Sequence, residues 1–527
     1  MAETSDSHTV SANDLTLGQR LRQFNKMLVF IMVYMAMCAF NFGYDVGTFG
    51  GVQAMNSFGK KFGEYNEAKE RYALPGWLSS IMTATPFLGK AVGCIVCGTI
   101  AERWGRRAAI LGLCIVSFVG VVLQAAAQNA AMFTIGRVIL FGMTGMAIVV
   151  VPIYQAETAP KALRGMFGST IQLMIIFGQV VATLVSYGTK SIDTDAGWQI
   201  PVTLQILMPV LIFVLLPFLP ESPRWLLSRD RREDAVKNLR KLRKSSTEEQ
   251  IQEEIEALMF AKSSEVKGTW SEVFDKTNRV RTGVAVLAMF GQQITGQAFP
   301  SQYGVIFYQS QGFGDRSFLY NVIQNVASLV AVVTTWFYID QVGRRPALLL
   351  GGTMMAIFMF ILAGMGSVDQ SNFNVHEQGA MVASLMLFQV FFNLSWAPCS
   401  YVIVSETAAL RVKEKTNLLA CVISVLTTFV TSFTLPYLIN DQYAGLGGKV
   451  GYIYGTINVI MVVATFFFIP ELKGRTLEEV DQLFESGIVL RKFKSVKTRT
   501  AEELYNDEVN TKHIHSEKKI EAVTTRV

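Results

Sequence analysis

Long apolar stretches broken by short polar segments dominate the chain. Twelve runs are long enough to cross about 30 Å of hydrocarbon as helices. They lie near 27–48, 75–100, 108–127, 131–152, 166–187 and 200–219, and again near 283–308, 318–339, 346–366, 380–404, 417–439 and 449–469. Several contain Gly or Pro, which membrane helices tolerate. The pattern predicts an all-α membrane protein with twelve transmembrane helices in two six-helix halves. The expected divisions are a polar segment 1–26, a first half 27–219, a linker 220–281, a second half 282–470 and a tail 471–527. The linker carries amphipathic stretches, such as 247–261 with Ile251, Ile255, Leu258 and Met259 on one face. The tail is charged, and its last thirty or so residues are expected to be disordered.

The two halves repeat each other. Ala-Glu-Arg-Trp-Gly-Arg-Arg at 101–107 is answered by Ile-Asp-Gln-Val-Gly-Arg-Arg at 339–345, so Gly105 recurs as Gly343. Glu157 with Arg164 recurs as Glu406 with Lys413, and Pro220-Glu221 as Pro470-Glu471. An offset near half the chain means two copies of one membrane unit, an architecture that places a substrate site between the copies.

Composition agrees: 51% hydrophobic, 17% charged, mean hydropathy +0.34. Charge then sets the orientation. With both termini in the cytosol, only Lys60, Lys61, Lys69, Arg71, Lys190, Arg316 and Lys449 of the 47 basic residues fall outside. Lys90 and Arg137 fall within spans. The positive-inside rule therefore accounts for the net charge of +6 without a nucleic-acid partner. All six Cys lie in spans, so no disulfide framework is implied, and Cys94-x-x-Cys97 reads as small core residues. The four His lie in tails or a loop. No cofactor and no enzymatic chemistry are expected.

The charges inside the spans carry the functional argument. Asp45 lies deep in the first run and Arg137 in the fourth. An ionised group in hydrocarbon costs several kcal/mol, so each should face the bundle and find a partner. An Asp that gains or loses its Arg partner as the protein rocks would take up and release a proton. The alternative is a permanent ion pair that fixes packing. Lys90 sits about ten residues, or ~15 Å, from the cytosolic end of the second run. Either it pairs with an acid inside the bundle or it lines a wet cavity.

The chain resembles the sugar porters of the major facilitator superfamily, the fungal branch in particular, from about residue 27 to 480. The motifs are Gly136-Arg137, Pro220-Glu221-Ser222-Pro223-Arg224-Trp225-Leu226, Gln292-Gln293 and Pro470-Glu471 through Lys473-Gly474-Arg475-Thr476, together with the two Gly-Arg-Arg loops. The resemblance implies that Asp45 is the proton site and Arg137 its partner, where facilitative glucose transporters carry Asn. It implies a cytosolic gate built from Glu102, Arg103, Arg106, Glu157 and Arg164, mirrored by Asp340, Arg344, Glu406, Arg411 and Lys413. Salt bridges among these would hold the gate shut when the site faces outward.

A sugar presents hydroxyls and apolar faces, so its site wants amides, hydroxyls and aromatics. The resemblance places Gln172, Gln292, Gln293 and Tyr401 there, with Gln297 and Ser328 beside them. The sequence departs from the hexose pattern at Ala298, Ser328 and Thr428, each of which replaces an expected Asn. A pocket that loses amides loses hydrogen bonds to a hexose and gains volume. The expected function is proton-coupled symport of a sugar or sugar-like polyol across the plasma membrane by alternating access. The rivals are an uncoupled facilitator, a carrier of a glycoside, disaccharide, sugar acid or secondary metabolite, and a sensor built on the same fold.

Overall fold

A computed structural model describes residues 25–66, 71–160, 163–244, 247–264, 268–276, 278–368, 375–440, 442–475, 477–496 and 498. The expectation of disorder at the end of the tail falls outside these residues.

The apolar runs form helices, because a backbone in lipid must satisfy its hydrogen bonds within its own segment. In the first half the spans are Lys26–Val52, Gly76–Arg103, Arg106–Ala125, Ala130–Thr158, Arg164–Thr189 and Ala196–Phe218. In the second they include Arg316–Val342, Arg344–Met365, His376–Thr407, Lys413–Ile439 and Gly447–Phe468. Eleven helices among the described residues are long and apolar enough to cross a membrane. The seventh run is the exception. It is helical in three pieces, Asn278–Ile294, Ala298–Gln302 and Gly304–Ser310.

That interruption has a local cause. Gly296 adopts φ +96°, and a Cβ there would lie 2.6 Å from the ring of Tyr454. The carbonyl of Thr295, freed by the break, accepts a hydrogen bond from Asn458 Nδ2 at 3.0 Å. The tenth span is also broken, at Ser395 between Val375–Leu394 and Trp396–Thr407.

Each half has its own core. One gathers residues such as Tyr34, Ile110, Met143, Tyr154 and Phe167. The other gathers Phe299, Phe307, Phe388, Trp396 and Met461. The second and fourth spans pack through glycines: a Cβ at Gly89, Gly93 or Gly145 would meet the facing helix at 2.1 Å or closer. Val92, Ile95, Phe213, Phe337 and Phe467 stay exposed on the outer surface, where lipid tails would cover them.

The halves meet along the second and eleventh spans and along the fifth and eighth. Their contact concentrates at the end of the bundle that carries a two-stranded hairpin, Glu64–Asn66 paired with Arg71–Ala73. There Phe49, Phe58 and Trp198 of the first half share a cluster with Val305 and Phe318 of the second. Gln53 Nε2 donates to Gln302 O at 2.6 Å, Gln309 Nε2 to Ala54 O at 3.1 Å, and Lys190 Nζ to Asp315 O at 2.9 Å. This hairpin face is closed.

The opposite, basic face carries both Gly-Arg-Arg loops. Here the linker forms helices Pro223–Ser228, Arg232–Leu242 and Glu248–Ser264 around a small core of Leu226, Leu239, Ile251 and Ile255. Leu258 packs on that core, but Met259 points outward, 42% exposed, against the sequence expectation. Helix Leu477–Glu485 and the turn Leu490–Ser495 share a small core of Leu472, Leu483 and Phe493 and join the second half through Leu490 and the pair Arg281–Asp481.

Candidate functional site

Of the residues that the sequence singled out, Lys90, Arg137 and Tyr401 lie near residues of the opposite half. Asp45 on the first span and Arg137 on the fourth are both buried and within electrostatic reach of each other. They are not hydrogen-bonded. Arg137 Nη1 donates to Met82 O at 2.9 Å, and the guanidinium lies 3.6 Å from the ring centroid of Phe49. Among the described residues Asp45 Oδ2 has no hydrogen-bond partner. The direct ion pair considered from sequence is therefore not made in this conformation.

The two glutamines of the seventh span differ. Gln292 is buried, and its Nε2 donates to Ala397 O at 2.9 Å and Trp396 O at 3.4 Å, the carbonyls just past the break in the tenth span. Gln293 Nε2 donates to Gln292 Oε1 at 3.0 Å. Gln172 and Gln297 are half-buried. Ser328 is buried, and its hydroxyl donates to Gln324 O within its own helix. Tyr401 is 41% exposed, with Cys421 of its own half and Cys94 of the other half near it.

Lys90 finds no acid. Among the described residues no carboxylate lies within ion-pair distance of it, and the ionisable groups beside it are the thiols of Cys94 and Cys421. Its ammonium lies 5.0 Å from the ring centroid of Phe42. Of the two sequence alternatives, a paired acid and a cavity lining, the first is not found.

At the basic face the charge pairs lie within each half. Arg106 holds Glu157 through two contacts, at 2.6 and 2.9 Å, and Arg344 holds Glu406 at 3.0 Å. Arg411 pairs with Glu272 at 3.1 Å, on the segment that leads into the seventh span. Lys413 is half-buried, while Glu102 and Arg103 are exposed and lend their backbone carbonyls to Arg229. The side chains of Arg164 and Asp340 lie outside the described residues. Among the described residues no ion pair joins the two halves at this face. The hydrogen bonds between the halves that the described residues make lie instead at the hairpin face.

Sequence reasoning found the repeated Pro-Glu pairs but missed their role. Glu221 accepts from the backbone N–H groups of Arg106 and Arg107 at 3.0 and 3.1 Å, and Glu471 from those of Arg344 and Arg345 at 3.2 and 3.0 Å. Each carboxylate thus caps the helix that follows a Gly-Arg-Arg loop. Gly105 and Gly343, at φ +98° and +96°, bring the backbone so close that a Cβ would meet that carboxylate. The matched offset was the available signal. Also missed were Tyr303, whose hydroxyl donates to Ser432 O at 3.0 Å near Arg137, and Gln324, which accepts from Tyr308 and donates to Pro300 O at 3.0 Å. An uninterrupted reading of the seventh run hid both.

Residues 31–484 match the family model described as sugar (and other) transporter. The high-affinity glucose transporter ght2 of Schizosaccharomyces pombe is 30% identical over 469 residues, 87% of each chain. The hexose transporter HXT8 of Saccharomyces cerevisiae is 30% identical over 500 residues, 92% of this chain and 86% of that one. The high glucose sensor RGT2 of the same yeast is also 30% identical over 500 residues, but these make up 64% of its length. In fold, the chain is similar to the partially occluded, inward-open xylose transporter XylE of E. coli, with a TM-score of 0.72 at 24% identity over 86% of this chain and all of that one. The chain therefore belongs to the sugar (and other) transporter family, as a fungal-type sugar porter with the twelve-helix major facilitator fold.

Proposed function

We propose that this sugar porter is a proton-coupled symporter of the plasma membrane, with both termini in the cytosol and a substrate of sugar size. The observation that carries the reading is the arrangement around Asp45. A buried carboxylate sits within electrostatic reach of Arg137 but unbonded to it, and Arg137 in turn lies beside Tyr303 at the break of the seventh span. Arg137 thus links the proton site to the break of the seventh span. Rocking the halves would move Asp45 relative to Arg137 and change its preference for a proton.

The glucose and hexose transporters among the relatives support a hexose-sized ligand, with Gln172, Gln293, Gln297 and Tyr401 facing it and Gln292 supporting the wall. The basic residues clustered at the face opposite the hairpin support a cytosolic side for it, and with the hairpin face closed this reading makes the conformation inward-facing. Reversal would close the basic face, where Arg106–Glu157 and Arg344–Glu406 hold the helix ends in position.

The test is reconstitution in liposomes loaded with a pH-sensitive dye. Adding a transported substrate should acidify the interior. Uptake with no proton movement would make the protein a facilitator, and binding with no uptake would make it a sensor.

A further inference from the structure

We propose that Lys90 is the docking cation for a carboxylate on the substrate, so that the chain carries polyhydroxy acids such as hexuronates and hexonates in preference to neutral hexoses. This rests on the transporter reading above and names the substrate class of the same cavity.

The placement of Lys90 is fixed by the packing of its helix. Gly89 and Gly93 press against the fourth span, and a Cβ at Gly145 would lie 2.1 Å from the backbone carbonyl of Lys90, so the backbone there cannot shift. Val92, Ile95 and Val96 take the lipid side of the helix. Lys90 is therefore turned toward the bundle, not toward lipid. It lies thirteen residues before Arg103 at the basic end, or about 20 Å along the helix, too far to snorkel.

Just beyond it toward the hairpin face, Phe87 and Phe141 meet Val425 of the eleventh span and close the gap between the halves. Lys90 thus sits on the basic-face side of this closure. Cys421 faces it from the other half, Tyr401 lies near both thiols, and Phe42 covers one side of the ammonium at 5.0 Å. The groups around this cation are aromatic or thiol, and no described carboxylate balances it. An isolated ammonium at this depth is costly unless an anion joins it.

A carboxylated sugar supplies that anion together with the hydroxyls for Gln172 and Gln293. Phe42 lies one turn before Asp45, so a ligand held by Lys90 bears on the helix segment that holds the proton site. The replacement of the hexose amides at Ala298, Ser328 and Thr428 fits the same reading. Where a charge pair anchors the ligand, fewer neutral hydrogen bonds are needed.

The experiment compares matched pairs, D-galacturonate with D-galactose and D-glucuronate with D-glucose, in liposomes with and without an imposed pH gradient. For the wild type, uptake of each acid should exceed that of its neutral partner by at least about tenfold. Lys90→Met should lower acid uptake by a similar factor and lower neutral-sugar uptake much less, so that the acid preference is lost, while Lys90→Arg should keep the acids. A wild type that takes up neutral sugars as fast as the acids overturns the proposal, and needs no variant to do so. A Lys90→Met protein that loses both classes equally, with its melting temperature unchanged, overturns it as well. Acid uptake that ignores the pH gradient would uphold the carboxylate site and remove proton coupling. Proton-driven uptake of neutral sugars alone would do the reverse.

Discussion

Arg137 faces Asp45 but gives its hydrogen bond to the backbone of Met82 and its flat face to Phe49. The guanidinium is thus held by neutral partners, and the carboxylate is left able to change its proton without releasing a salt bridge. Asp45→Asn removes that freedom. Accumulation of substrate against its gradient should fall to a ratio of about one, while exchange flux persists, because a neutral side chain satisfies the same packing but carries no proton. Counterflow and pH-driven uptake measured on one preparation check this. A mutant that still concentrates substrate at full strength places the proton elsewhere.

The break in the seventh span should be sensitive to single atoms. Gly296→Ala forces a Cβ into the left-handed region and onto the ring of Tyr454. The cost should be about 1–3 kcal/mol, seen as a lower melting temperature in detergent. Asn458→Leu leaves Thr295 O without its partner in a buried site, at a similar cost. If both variants melt with the wild type, the break is not held by these contacts.

The paired helix ends allow an internal comparison. Arg106 and Glu157 are 15% and 12% exposed, whereas Glu406 beside Arg344 is 26% exposed. Removing one partner of a buried pair strands the other, and the cost grows with burial. Glu157→Gln should therefore destabilise by about 2 kcal/mol and Glu406→Gln by roughly half that. Equal melting points for the two would show that exposure does not set the difference.

The span pattern was legible because lipid imposes a single rule on every residue of a run. The repeat was legible because Gly105 and Gly343, or Glu221 and Glu471, needed only to be counted. Their partnership was not, since a cap joins residues more than a hundred positions apart and leaves no periodic trace. The hairpin Glu64–Ala73 is short and interrupted by charges, so no alternation marked it. Gly296 lies inside an apolar run that reads as one helix. For Lys90, its place in the second run disclosed depth but no neighbours, because Cys421 reaches it only through the packing of the halves.

Closure of the hairpin face rests on a few contacts between halves, among them Gln53 to Gln302 at 2.6 Å. Cysteines placed at these two positions, in a background cleared of the six native ones, should crosslink through a short bifunctional reagent. Transport should then fall below about a tenth and return on reductive cleavage, because rocking requires this contact to part. Full transport in the crosslinked fraction would mean that the face stays shut throughout the cycle.

Gln292 and Gln293 are neighbours with different duties. Gln292 spends its amide N–H groups on Ala397 O and Trp396 O, tying the seventh span to the break in the tenth, and its carbonyl holds Gln293. Among the described residues Gln293 bonds through its side chain only to Gln292, which leaves its own carbonyl for a ligand. Gln293→Ala should therefore raise KM by roughly two- to tenfold, the value of one neutral hydrogen bond to the ligand, with the melting temperature unchanged. Gln292→Ala should lower the melting temperature as well, because it removes the donor from two buried carbonyls. Its transport defect should exceed that of Gln293→Ala, since Gln293 loses its anchor at the same time. Melting and uptake measured on both variants decide the matter. Gln292→Ala with intact stability and a pure KM effect would make it a direct ligand contact instead of a brace.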